Sequence, residues 1–299
     1  MDQCTSADRR SPSPDAPRRA AFGLAVACAL AWTVGAATMI AGAADKAPDG
    51  APGVNADADA KPAAEVEAAP IHRIAEAHGF DRWDKVEAVR FTFNVRRGRS
   101  TRPSRRWQWR PGDNAVRLTV ADAGAPGGER VVEYDRDELA GAAKRVIDAD
   151  RKFINDSFWL LLPLHLSWAD DVEVEDKGMH ALPIGEGEAR RVVVRYPKEE
   201  GGYTPGDRYD LYVDKDWRIV QWTFHRGGGD KPNLATTWEG YAKAGPLALS
   251  LNRRNPEADL AITFPNTAVK LEGGEGWLEA ERVDVDEKSR GGASDGAGE

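Results

Sequence analysis

Cysteine is nearly absent. Of 299 residues only Cys4 and Cys28 are cysteines, and both fall within the first 44. Everything after them lacks a disulfide, a cysteine nucleophile and a cysteine metal cage. Histidine is scarce as well. His72, His78, His165, His180 and His225 form no His-x-x-x-His pair and no tight cluster with carboxylates, so each reads as a structural or surface histidine rather than a metal ligand. His78, directly before Gly79, suits the negative end of a helix. The acidic stretch 170–176 has no alternating oxygen-ligand loop with a glycine turn, so it reads as a solvated edge rather than a calcium site. Gly-x-Ser-x-Gly, Ser-x-x-Lys and the P-loop are missing. Excess positive charge is missing too. The formal charge is −8, and beyond residue 44 the chain carries 37 basic against 46 acidic side chains. A net acidic chain excludes nucleic acid as the main partner. These absences remove the familiar catalytic signatures and leave no expected metal site.

What is present is unevenly spread. Arg18 and Arg19 precede 25 uncharged residues, 20–44, that end in Ala-Gly-Ala-Ala. This pattern reads as a secretory signal over 1–44. The stretch is also long enough to remain as an N-terminal anchor, and Cys28 offers a poor lipidation site. Residues 45–66 are Ala, Pro, Asp and Gly without apolar periodicity, a disordered linker. Residues 282–299 are acidic and then Gly/Ser-rich, a tail. Between them, 67–281 has the size of one domain.

That domain opens with a helical pattern over 71–78, and Asp81 can cap a short turn before Val86. The period then changes to two. Val89, Phe91, Phe93 and Val95 share one face, and Arg90, Thr92 and Asn94 the other. Trp107 pairs in phase with Trp109, and Val116 with Leu118 and Val120. Residues 136–150 revert to helical spacing, and strands resume to Leu271, punctuated by Gly-Gly and Asp-Lys-Asp turns. About eleven strands with helices at the start and middle predict an α+β domain, one antiparallel sheet that curls to hide its edges.

Three segments stand out. Residues 152–168, KFINDSFWLLLPLHLSW, join a polar Asn155-Asp156-Ser157 to nine apolar-rich residues, far short of the ~20 that span a membrane, with Pro163 among them. The expectation is a core plug or movable lid, with Asn155, Asp156 and Ser157 as the joint where the helix bends or restarts. Residues 96–110 hold seven arginines. They make either an anionic contact surface (lipid headgroups, an acidic partner) or a solvated hairpin that balances surplus acid. Finally, Phe91, Phe93, Trp107, Trp109, Trp222, Phe224 and Trp238 all fall on one sheet face. A face so rich in rings is either a very large core or the wall of an apolar cavity.

The segments HGFDRWDKVEAVRFTFNV, FINDSFWLLLPLHLSW and GGYTPGDRYDLYVDKDWRIVQWTF resemble a group of exported bacterial proteins. The order leader, short helices, long antiparallel sheet and apolar helical insert is similar to the LolA/LolB superfamily of periplasmic lipoprotein carriers. That resemblance implies a half-open β-barrel covered on its concave side by helices. It also implies a non-catalytic carrier with no cofactor, in the periplasm or envelope, that holds a lipid, a lipoprotein acyl chain or another apolar small molecule; the protein is expected to be exported and monomeric. On this reading Phe91, Phe93, Trp107, Trp109, Trp222 and Phe224 line the concave face, and Phe158, Trp159, Leu161 and Leu162 close it. Two alternatives stay open: a solid-cored envelope sensor or scaffold that docks a protein, and a hydrolase built on Asp156, Asp207 and Asp210, which must then share a cleft.

Overall fold

Alternation of apolar and polar residues becomes burial in the first long strand. In Val86–Arg97 (β1) the side chains of Val89, Phe91, Phe93 and Val95 are buried, while Arg90 and Asn94 are half-buried on the other side. The computed structural model describes residues 69–168, 172–198 and 206–282. The leader, the linker and the tail beyond Arg282 lie outside them, as do Asp170 and Asp171 of the acidic stretch.

The remaining strands are Ser100–Thr101 (β2), Arg105–Arg110 (β3), Ala115–Ala121 (β4), Glu129–Asp135 (β5), Glu173–Ala181 (β6), Glu188–Arg195 (β7), Arg208–Val213 (β8), Ile219–His225 (β9), Leu234–Thr237 (β10), Glu239–Ala244 (β11), Leu247–Asn255 (β12), Leu260–Thr263 (β13), Ala268–Leu271 (β14), Trp277–Glu279 (β15) and Glu281–Arg282 (β16). All pairings are antiparallel. One large sheet of eleven strands runs β16-β11-β12-β13-β1-β3-β4-β5. In it, β14 takes the first half of β1 and β13 the second, while β2 and β15 add on β1 and β14. A second ladder, β10-β9-β8-β7-β6, meets the first where β10 lies beside β12. Side chains stitch that seam: the Arg254 amide donates to Thr237 Oγ1 at 3.0 Å, and Asn255 Nδ2 donates to the Ala235 carbonyl at 2.9 Å. The result is a wall that runs from β5 to β6. Those two end strands do not pair with each other, so it is not closed into a barrel.

Two helices cover the wall. Pro70–Ala77 (α1) begins on a proline, whose fixed φ suits the first turn. It ends at His78 before Gly79, which takes φ +88°. A 3₁₀ turn, Phe80–Lys85, leads into β1. A Cβ at Gly79 would sit 2.3 Å from the Pro246 carbonyl oxygen, so neither rotation nor a small shift can accommodate it. Gly79→Ala is therefore expected to cost at least about 2 kcal/mol, positive φ plus backbone overlap, as read by urea denaturation. A loss below about 0.5 kcal/mol would show that the 78–80 turn can relax.

Lys144–Trp168 (α2) corrects two expectations. The helical spacing of 136–150, expected to run into the apolar segment, does so only from Lys144, and its first part is not α-helical. It gives a single 3₁₀ turn, Arg136–Glu138, and Gly141 at φ +76° stops it. The helix starts at Lys144 and then runs 25 residues without a break, straight through Asn155-Asp156-Ser157. That triplet is not a joint. Asp156 faces the sheet, and Ser157 Oγ donates back to the Ile154 carbonyl at 3.2 Å, a bond compatible with a continuous helix. From Phe158 to Leu166 every residue is buried, the signature of a helix enclosed on all sides. Among the described residues no helix is long and apolar enough to cross a membrane.

Candidate ligand-binding groove

The ten residues expected to form the groove come together, and none is more than 3% exposed. Phe91 and Phe93 on β1 pack on Phe264, with centroids 6.1 and 5.6 Å apart. Trp107 and Trp109 on β3 each meet the ring of Phe153 on α2, at 5.5 and 5.7 Å. At the other side of the helix, Trp159 stands edge-on to Trp222 at 4.8 Å, and Phe158 touches Tyr209 at 5.3 Å. Tyr209 in turn stacks on Trp222 at 5.2 Å and lies 5.3 Å from Phe224. Leu161 and Leu162 are wholly buried within α2. Thus α2 lies along the aromatic wall from β3 to β9 and fills the space in front of it. The two depressions that stand out lie elsewhere. One is a groove of about 770 Å³ lined by Glu87, Gln108, Arg110, Arg117, Lys270 and Trp277 among others. In it Gln108, Arg110 and Arg117 alternate with the inward Trp107, Trp109, Val116 and Leu118, so it opens on the reverse face of the sheet. The other, about 160 Å³, lies between Gly240, Asn252 and Arg282.

Polar anchors tie α2 to the wall. Asp156, with no exposed side-chain surface, accepts from Arg105 Nε at 2.6 Å and Arg105 Nη2 at 2.8 Å. It also accepts from Trp107 Nε1 at 2.8 Å and Asn155 Nδ2 at 2.9 Å. A buried carboxylate needs such a full set of donors. One helical turn and a half earlier, Asp150 accepts from Arg136 Nε at 2.7 Å, both side chains buried.

The third anchor has a different origin. Pro163 has no N–H, so the Trp159 carbonyl one turn back loses its helical partner. Arg253 Nη2 donates to that carbonyl at 2.7 Å. Arg253 sits on β12 in phase with Leu247 and Leu249 and has no exposed surface. Its other bonds go to the Ser250 carbonyl and Oγ and to the Asn252 carbonyl. Its guanidinium lies 3.4 Å from the Trp238 ring centroid, a cation–π contact. Burial pushes its pKa down to about 9, still above neutral pH, so it keeps its charge. The sequence reading missed Arg253, although its parity with Leu247, Leu249 and Leu251 carries the signal. Two further missed members, Phe153 and Tyr209, sit in helical and alternating patterns already traced.

The other singled-out residues resolve as follows. Of the carboxylates proposed for hydrolysis, Asp156 and Asp210 do not share a cleft. Asp156 faces α2's side of the wall. Asp210 alternates with the inward Tyr209 and Leu211 and so faces the reverse side. There it meets Arg191 at 2.7 Å, Arg208 at 3.1 Å and His225 at 3.3 Å. Asp207 accepts from the Gly227 amide at 2.9 Å. His225 uses Nε2 toward both Thr223 and Asp210, while Nδ1 faces the Gly229 carbonyl. A relay needs the carboxylate and the hydroxyl on different nitrogens. In the arginine segment, Arg96 pairs with Asp259, Arg105 with Asp156, Arg106 with Glu129 and Arg110 with Asp113, which favours counter-charge over a free cationic surface. In the acidic stretch, Glu175 pairs with Lys177 and Asp176 with Arg190. His78 corrects another expectation. It is not a cation at a helix end: burial lowers its pKa to about 4, and the neutral ring bonds the Ile74 carbonyl and the Tyr241 hydroxyl.

The sheet is large, antiparallel and not closed into a barrel, with helices along one face, which is the half-open form that the sequence resemblance implies. No family model and no curated protein matches this chain. Solved structures do match at low similarity. The chain is similar to a LolA superfamily protein from Nitrosomonas europaea, with 8% identity, TM-score 0.41 and coverage of 74% of this chain and 97% of that one. It is similar to a DUF1329 family protein from Desulfovibrio piger, at 12% identity and TM-score 0.36, covering 73% and 92%. It is also similar to the Mycobacterium tuberculosis lipoprotein LppX, at 10% identity and TM-score 0.26, covering 74% and 100%. Scores of this size lend no function to the chain.

Proposed function

We propose that this protein is an exported, non-catalytic binding protein for an acyl chain or similarly apolar ligand. The structure is then its closed form, in which α2 occupies the ligand's place. One observation carries the reading: an aromatic wall of sheet residues is covered by a single helix, held to it by three polar anchors, and one anchor exists because Pro163 interrupts the helix's own bonding. A ligand that displaces the Phe158–Leu166 stretch would find ready-made apolar surface. Burial of some ten methylenes contributes about 8 kcal/mol, enough to offset the loss of one or two such anchors. The site residues are the ten named above, and the expected ligands are a lipid, a lipoprotein acyl chain or another apolar small molecule. Export rests on the leader pattern in 1–44.

Tryptophan fluorescence of delipidated protein titrated with oleate tests this. The rings in contact with α2 are expected to change environment together, with saturable quenching or a spectral shift. Unchanged emission at all oleate concentrations would sink the carrier reading. It would leave the solid-cored scaffold, which the close ring packing around Phe153 and Trp222 favours.

A further inference from the structure

Among the described residues, the buried carboxylates Asp150, Asp156 and Asp210 each meet an arginine. Arg105 has Asp156, Arg136 has Asp150, and Arg191 and Arg208 share Asp210. Arg253 breaks the pattern. It is wholly buried, yet its hydrogen-bond partners are three backbone carbonyls and one hydroxyl, with no carboxylate. The nearby Glu239 is already taken by Arg254. A desolvated guanidinium without an anion is costly.

The surroundings of Arg253 add donors rather than acceptors. Its own Nε and the indole nitrogens of Trp159, Trp222 and Trp238 are buried with no hydrogen-bond partner, and so is Thr236 Oγ1. These groups form one patch. Trp159 touches Trp222 at 4.8 Å, Trp222 touches Trp238 at 6.0 Å, and Arg253 lies on Trp238. Thr236 is the cross-strand partner of Trp222. Buried donors are nearly always satisfied, because one that is not forfeits its hydrogen bond to water with nothing in exchange. The Arg253 Nε–H, the indole N–H groups of Trp222 and Trp238 and the Thr236 hydroxyl, gathered at an unneutralised guanidinium, ask for an oxygen-rich anion. The one acceptor α2 brings to this patch is the Trp159 carbonyl that Pro163 has freed.

We infer that the patch formed by Arg253, Trp222, Trp238 and Thr236 is a head-group site for the carboxylate of a single-chain amphiphile, with the Trp159 carbonyl as its stand-in in the closed form. The inference rests on the carrier reading above. When α2 yields, Arg253 Nη2 loses the peptide oxygen, and a carboxylate supplies two oxygens in its place, with about four lone-pair sites. A charge-assisted bond to guanidinium is about twice as strong as one to a neutral acceptor. The chain of the amphiphile would then run along the aromatic wall toward Trp107 and Phe91. The head selects the ligand and the wall supplies affinity.

Laurate and dodecanol separate the two claims, since they share a twelve-carbon chain and differ in the head. At pH 8, with tryptophan emission or calorimetry as readout, laurate is expected to bind at least tenfold more tightly than dodecanol. Arg253→Met should bring that ratio close to one. Trp238→Phe keeps a ring and removes one N–H, and should lower the ratio severalfold even if Arg253→Met does not fold. Equal binding of laurate and dodecanol to the wild type would overturn the head-group site and leave the carrier reading standing. A ratio unmoved by both variants would overturn it too. Binding of neither compound would remove both readings.

Discussion

Asp156→Ala is expected to destabilise the protein by about 3 kcal/mol, read as a shift in the urea midpoint at unchanged slope. The substitution leaves Arg105 and the Trp107 indole N–H facing a buried gap, because the lost carboxylate accepted from both. Breaking a buried pair by removal of one partner typically costs 3–5 kcal/mol. The low end applies because the Arg105 side chain retains 16% exposure and can lean toward water. Asp156→Asn keeps an acceptor for Trp107 and should lose less. Replacement of both partners by apolar residues, Arg105→Met with Asp156→Leu, should recover much of the loss. If Asp156→Ala stays within 1 kcal/mol of the wild type, α2 is not anchored at this point.

Acid should loosen the fold from about pH 6.5 downward. Burial lowers the pKa of His78 from 6.5 to about 4 and that of His165 to about 3. In the unfolded chain both return to their ordinary value near 6.5. The unfolded state therefore binds more protons between pH 6.5 and 4, and stability rises with pH through that window. The contribution is fully present above the unfolded pKa and falls away below it. Between pH 7 and pH 5 each histidine is expected to withdraw about 2 kcal/mol. Urea melts at several pH values measure this, and His78→Asn or His165→Asn should each flatten the slope by about one proton. A stability that is level from pH 7 to pH 5 would show that the two rings are not held neutral.

The sheet was legible because its strands alternate. Val89 to Val95, Trp107 with Trp109, and Trp222 with Phe224 each sorted to the correct face from parity alone, and so did the expectation that they meet. The helix was harder. Asn155-Asp156-Ser157 and Pro163 look like breakers in isolation, and the gap between 136 and 144 looks like helix. Tertiary partners decide both. Arg105 gives Asp156 a reason to be inside a helix, and Arg253 takes the carbonyl that Pro163 strands. Arg253 itself stayed hidden in LSLNRRN, since charge argued for solvent while phase argued for the core. Whether an aromatic wall is covered by its own helix cannot be read from the wall. That depends on how a distant segment lies against it.

The place of β1 in the sheet has a kinetic consequence. Its partners on one side, β3 and β2, follow at once in the chain, but those on the other, β13 and β14, are the stretches 260–263 and 268–271. The central strand therefore keeps one bare edge until nearly the whole domain has been made. Loops of this length must close before the wall is complete, which puts the protein among slow, high-contact-order folders. During that interval the exposed rings of Phe91 and Phe93 are the chain's main aggregation hazard.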